Sequence, residues 1–128
     1  MMKVLIVDDE ADVQLLFKQK FRKEIKADLI KFYFVLSAEE ALEFLKSPEA
    51  SSLVLILSDI NMPGMNGLQL LKIIKTEYPH LKVFMNTAYG NDGKQEIAML
   101  YGADSYINKP LNFSSLKEKI FQLISNHC

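Results

Sequence analysis

Five short runs of strand-forming residues, each followed by a segment with helical period, constrain this chain more than any other feature. KVLIV at residues 3–7 lacks the in–out alternation of a half-exposed strand, and LVLILS at 53–58 opens with five apolar residues in succession. Strands that read this way are covered on both faces. IKFYFVL at 30–36, rich in β-branched and aromatic types, KVFMN at 82–86 and SYIN at 105–108 complete the set. Between them lie helices. Val13, Leu16, Phe17, Phe21 and Ile25 recur at spacings of three and four, which predicts one amphipathic helix over 11–27. Ser37-Ala-Glu-Glu40 has the form of a capping box opening a helix to about Lys46. Asn66 opens a helix to about Glu77 that carries Leu70, Leu71 and Ile74, with Pro79 just past its end. A fourth helix spans about 91–101 with Gly102 as its cap, and Asn112 or Ser114 opens a last one bearing Leu116, Ile120 and Leu123. Five strand–helix units with short connections predict an α/β fold: a doubly wound parallel sheet with helices on both faces. No repeat, low-complexity tract or linker interrupts the 128 residues, so a single domain over 1–128 is expected.

Several function classes drop out on composition. A net charge of −1 gives no case for direct nucleic-acid or anionic-membrane binding. The five basic residues between Lys18 and Lys26 read as a solvated helix face rather than a docking patch. Cys128 is the only cysteine, which leaves no intrachain disulfide and no thiolate metal site. His80 and His127 are the only histidines, too few for most zinc sites. The opening MMKVLIVDD is too short an apolar run for a signal peptide or membrane span, so a cytoplasmic location is expected.

The stretch LVLILSDINMPG, 53–64, drives an apolar strand straight into an aspartate and then into Pro-Gly. The same happens elsewhere: Asp8 and Asp9 follow the first strand, Asp59 the third, Thr87 the fourth and Lys109 the fifth. Open parallel sheets bind ligands outside the carboxyl ends of their strands, where the winding reverses. If strands one and three are neighbours, Asp8, Asp9 and Asp59 converge within about one strand spacing, roughly 4.8 Å. Carboxylates so close repel, and a hard divalent cation such as Mg²⁺ relieves them through oxygen ligation. Thr87 adds a hydroxyl donor and Lys109 a cation on a long stem. Together these are the parts needed to receive a phosphoryl group, with Asp59 as the nucleophile.

VDDE at 7–10, SDINMPGMNG at 58–67, TAYG at 87–90 and YINKP at 106–110 resemble, in order and in spacing, the signature of response-regulator receiver domains of two-component signalling. The resemblance covers essentially the whole chain and implies a flavodoxin-like (βα)5 fold with strand order 2-1-3-4-5. It implies that Asp59 is phosphorylated from a phosphohistidine on a sensor histidine kinase or histidine phosphotransfer protein. Asp9 and Asp59 would ligate Mg²⁺ (or Mn²⁺) directly, Asp8 through water, and Asn61 through its backbone carbonyl. Lys109, the Thr87 hydroxyl and the Ala88 backbone would bind the phosphoryl group. Tyr106 matches the aromatic whose rotamer follows Thr87, and the Lys109–Pro110 peptide is expected to be cis. Asn61 and Tyr89 hold positions that tune phosphorylation lifetime in the family, and bulky Tyr89 suggests a long-lived phospho-form. Asn86 departs from the apolar residue usual at its place. The face of the fourth helix, fifth strand and last helix would signal to a downstream protein or output domain, as a monomer or a phosphorylation-dependent dimer. The chain leaves no room for an output domain of its own, so it reads as a stand-alone regulator or as a receiver cut from a larger protein.

Three rivals compare poorly. Phosphatases with an aspartate nucleophile carry a second acid two residues on, where this chain has Asn61. A calcium loop begun at Asp59 meets Pro63 and Leu70 at ligand positions. Nucleotide folds need glycine-rich phosphate loops that are absent from the sequence. A phosphate-independent, receiver-like interaction module is the remaining alternative, and the filled acidic and hydroxyl positions argue against it.

Overall fold

The apolar runs become the strands of one parallel sheet in the computed structural model, which describes residues 1–87, 93–108 and 112–127. In chain order the elements are β1 (Met2–Val7), α1 (Asp12–Lys20), α2 (Arg22–Lys26), β2 (Ile30–Val35), α3 (Ala38–Leu45), β3 (Leu53–Asp59), α4 (Gly67–Glu77), β4 (Lys82–Thr87), α5 (Lys94–Leu100), β5 (Ser105–Asn108) and α6 (Phe113–His127). The sheet order is β2-β1-β3-β4-β5, with all four pairings parallel. The strand order implied by the resemblance is thus the one observed.

Alternate residues of each strand serve opposite faces, and the sheet is covered on both. On one face Val4, Ile6, Leu55, Leu57 and Phe84 pack with Phe17 of α1, Phe21, and Leu116 and Ile120 of α6. On the other, Leu5, Val7, Ile56, Val83 and Met85 pack with α3, α4 and Ala98 of α5. Both cores exclude solvent almost completely, which explains why β1 and β3 carry unbroken apolar runs.

The helix expected over 11–27 is two helices, α1 and α2, meeting at Phe21. Phe21 leaves helical geometry (φ −106°, ψ 19°) while the Ile25 N–H still donates to its carbonyl at 2.9 Å, so the break is a kink in a continuing ladder. The cause is aromatic packing: Phe21 stacks on Phe17 with centroids 5.8 Å apart and meets the Phe32 ring edge-on at 4.9 Å. After α2 the chain reverses at Asp28, whose φ of 56° is left-handed, the conformation a helix C-terminus favours. Because the first predicted helix is two, the predicted fourth and last helices are α5 and α6.

Caps largely follow the sequence. Ser37 Oγ accepts from the Glu40 N–H at 3.0 Å, but the Glu40 carboxylate reaches back to the Leu36 N–H rather than to Ser37, leaving half of the expected box. Asn66 and Gln69 form a full box. Gly102 (φ 98°) closes α5, and Asn112 rather than Ser114 opens α6 by accepting from the Ser115 N–H. A 3₁₀ turn at Pro48–Ser52, unforeseen in the sequence, leads into β3. Among the described residues no helix is long and apolar enough to cross a membrane.

Candidate functional site

The winding reverses between β1 and β3: the chain moves outward to β2 and then returns across β1 to place β3 on its other side. Val7 lies opposite Ser58 in the register, so the residues that follow, Asp8 and Asp59, leave the sheet side by side. Asp8 and Asp59 are each only 5% exposed, and Asp9 faces solvent. One carboxylate oxygen from each of the three lies within 4.8 Å of those of the other two. The convergence expected from strand ends is therefore present.

Backbone hydrogen bonds fix these acids. Asp8 Oδ1 accepts from the Glu10 N–H at 2.9 Å, which turns the chain into α1. Beyond Asp59 the Ile60 N–H donates to the Asn86 carbonyl at 3.0 Å, and the Asn61 N–H points at Asp59 Oδ1 from 3.4 Å. The loop then turns at Gly64 (φ 75°), and Glu39 of α3 accepts from the Met65 N–H. Gly67 starts α4 hard against the backbone of Asp59. Its N–H donates to the Ile60 carbonyl at 2.8 Å, and a Cβ there would meet the Asp59 carbonyl oxygen at 2.1 Å. Gly67 was not singled out in the sequence, because nothing local requires glycine at the start of a helix.

A hard divalent cation fits this donor set. Carboxylate oxygens are what Mg²⁺ prefers, and the three acids each offer one within 4.8 Å of the other two. With two of the three acids buried, a bound cation would offset a repulsion that water screens poorly.

Asn86 lies directly opposite Asp59 in the β3–β4 register and is 3% exposed. Neighbouring parallel strands at matched register present side chains to the same face, so its carboxamide is buried beside the acid cluster. Among the described residues its Oδ1 has no hydrogen-bond partner. Thr87 is the last residue of β4, opposite Asn108 of β5, so both strands end at the same sheet edge as the acids. Tyr106 is half-buried, opposite Met85, and packs against the core on the α3–α5 face. Ala88, Tyr89, Lys109 and Pro110 lie outside the described residues, and with them the expected backbone and lysine contacts and the Lys109–Pro110 cis peptide.

One cation at the site had no signal in the sequence. Lys94, the first residue of α5, donates from Nζ to Asn61 Oδ1 at 2.8 Å, across 33 residues of chain.

Comparison with known proteins bears on the family and the fold. A family model described as response regulator receiver domain matches residues 4–121. Response regulator protein FleR of Pseudomonas aeruginosa is 41% identical over 122 residues, which are 92% of this chain and 24% of FleR. Chemotaxis protein CheY-3 of Vibrio cholerae is 34% identical over 121 residues, 93% of this chain and 88% of CheY-3. The crystal structure of a CheY-like receiver domain protein from Methanospirillum hungatei superposes with a TM-score of 0.85 at 29% identity, covering 98% of this chain and 95% of that one. The chain thus spans about a quarter of FleR but most of CheY-3.

Proposed function

The chain belongs to the response regulator receiver domain family, and on that premise we propose that it is a phosphoaccepting switch whose Asp59 takes a phosphoryl group from a phosphohistidine. The observation that carries this reading is the gathering of Asp8, Asp9 and Asp59 oxygens within 4.8 Å of one another where the sheet winding reverses. In the transfer, a carboxylate oxygen of Asp59 forms a bond to phosphorus as the P–N bond to the donor imidazole breaks, its electron pair returning to the ring. Asp9 and Asp59 would hold Mg²⁺ (or Mn²⁺) directly, Asp8 would hold it through water, and the Asn61 carbonyl would complete the protein's share. Once bound, that cation neutralises charge on the phosphoryl oxygens.

The rest of the work falls to the chain's own groups. Lys109, the Thr87 hydroxyl and the Ala88 N–H bind the phosphoryl oxygens, in a reaction governed by positioning and charge. The modification adds one to two negative charges and new acceptors at the sheet edge. Thr87 and Lys109 bind these better in one of two arrangements, and that arrangement becomes dominant, with Tyr106 following Thr87. The face so altered is α5–β5–α6. Its exposed apolar side chains, Ile97 at 40%, Met99 at 49% and Leu100 at 82%, support its use as a docking surface for a downstream protein or output domain. The phosphodonor is a sensor histidine kinase or a histidine phosphotransfer protein. The chain acts as a switch rather than as an enzyme with an external substrate.

Intact-mass spectrometry tests this directly, after incubation with acetyl phosphate with and without Mg²⁺, on the wild type and on Asp59→Asn. One added phosphoryl group that needs both Mg²⁺ and Asp59 is the expected result. No adduct on a folded wild type under either condition overturns the reading in favour of a phosphate-independent interaction module.

A further inference from the structure

Lys94 opens α5 at a place where a cation is the wrong charge. The first turn of a helix carries the partial positive ends of its free N–H groups, so acids are favoured there and lysine is not. Among the described residues no side chain caps this helix, and Gly93 enters it at φ 84°. Helix stability therefore supplies no reason for the residue. Its contact does: the ammonium spans from the β4 side of the cleft to the β3 side and donates to Asn61 Oδ1 at 2.8 Å. Asn61 is held at both ends, since its backbone N–H points at Asp59 Oδ1 from 3.4 Å.

We propose that Lys94 is a positioning residue that lengthens the life of phosphorylated Asp59 by engaging the side-chain oxygen of Asn61. The proposal rests on Asp59 being the phosphoacceptor. Loss of the phosphoryl group is a hydrolysis: a water oxygen forms a bond to phosphorus as the bond from phosphorus to the Asp59 carboxylate oxygen breaks. The electron pair stays with the carboxylate, and the water's protons end on inorganic phosphate and solvent. A group that accepts a hydrogen bond from that water orients it and raises its nucleophilicity. The Asn61 carboxamide oxygen, two residues from the phosphoacceptor, is such a group. A charge-assisted bond from Lys94 withdraws density from that oxygen and turns it toward α5. Releasing it frees the oxygen to accept from the attacking water.

The test is the half-life of the phosphoryl adduct on the full chain, followed by intact mass after the phosphodonor is removed, with folding of each variant checked by circular dichroism. Lys94→Met is expected to shorten the half-life about threefold to tenfold, the range one hydrogen bond commands. Lys94→Arg, which keeps a charged donor, should stay near the wild type. In an Asn61→Ala background, Lys94→Met should have no further effect, because the oxygen it controls is gone. A half-life that is unchanged or longer in Lys94→Met overturns the proposal. So does equal shortening with and without Asn61, which would mean that Lys94 acts on the phosphoryl group by charge alone. A wild type that takes up no phosphoryl group overturns the reading of Asp59 together with this proposal, and is recognised by a missing adduct rather than by a lifetime.

Discussion

Gly67 makes a demand that only the absence of a side chain meets. A methyl group there would lie 2.1 Å from the Asp59 carbonyl oxygen and 2.8 Å from Ile60 Cα, both backbone atoms with little freedom to yield. Gly67→Ala must therefore move the start of α4 or the strand end that bears Asp59, and overpacking of this kind costs about 1–3 kcal/mol. Chemical denaturation should show that loss, and the rate of phosphoryl uptake should fall with it because the strain is delivered to Asp59, the proposed phosphoacceptor. An unchanged denaturation midpoint would mean that the helix accommodates the methyl group freely. Gly67 also marks the limit of reading residues from sequence. Asp8, Asp9 and Asp59 were legible because each follows an apolar strand, and strand ends in a parallel sheet share an edge. Gly67, Lys94 and Glu39 were not, since their roles come from contacts with residues distant in the chain. Asn86 lies between these cases: visible as an oddity, but placed beside Asp59 only by the strand register.

At the scale of elements, every predicted strand exists, and the boundaries differ where side-chain packing takes over from periodicity. The unbroken spacing from Val13 to Ile25 gave no hint of the kink at Phe21, which is imposed by the ring of Phe32 arriving from β2. The start of β4 shows another contact that periodicity cannot reveal. Asp104, just before β5, accepts at Oδ2 from the Val83 N–H and from Lys75 Nζ, both at 2.8 Å, while Lys75 Nζ also donates to the Leu81 carbonyl at 2.8 Å. One carboxylate thus joins the end of α4 to the start of β4 and the approach to β5. With the Asp104 side chain 25% exposed, water can replace part of what is lost, so Asp104→Ala should cost about 1–2 kcal/mol rather than the full price of a buried charged hydrogen bond. Asp104→Asn, which can still accept from the Val83 N–H, should recover part of this. Amide hydrogen exchange at Val83 is the local check: protection there should fall in the alanine variant and persist in the asparagine one.

For the whole molecule the decisive quantity is the charge that folding collects at one edge of the sheet. In the unfolded chain Asp59 is some fifty residues from Asp8 and Asp9, and water screens the three. In the folded chain their oxygens lie within 4.8 Å of one another and two of the acids are buried, so folding works against a repulsion on the order of 1 kcal/mol or more. A cation that binds only the folded state reverses the sign, adding about 2.7 kcal/mol at a hundredfold excess over Kd. Asp9, the exposed member, can be neutralised with least harm to packing. With divalent cations chelated, Asp9→Asn should melt a few degrees above the wild type, because one repelling charge is gone. With Mg²⁺ in excess the order should invert, the wild type gaining several degrees and the variant much less, because a proposed direct ligand is gone too. Tm measured for both proteins in EDTA and in Mg²⁺ therefore yields two lines that cross. Parallel lines would show that the three acids repel without holding a metal, and would separate the electrostatics of the fold from the chemistry proposed for its edge.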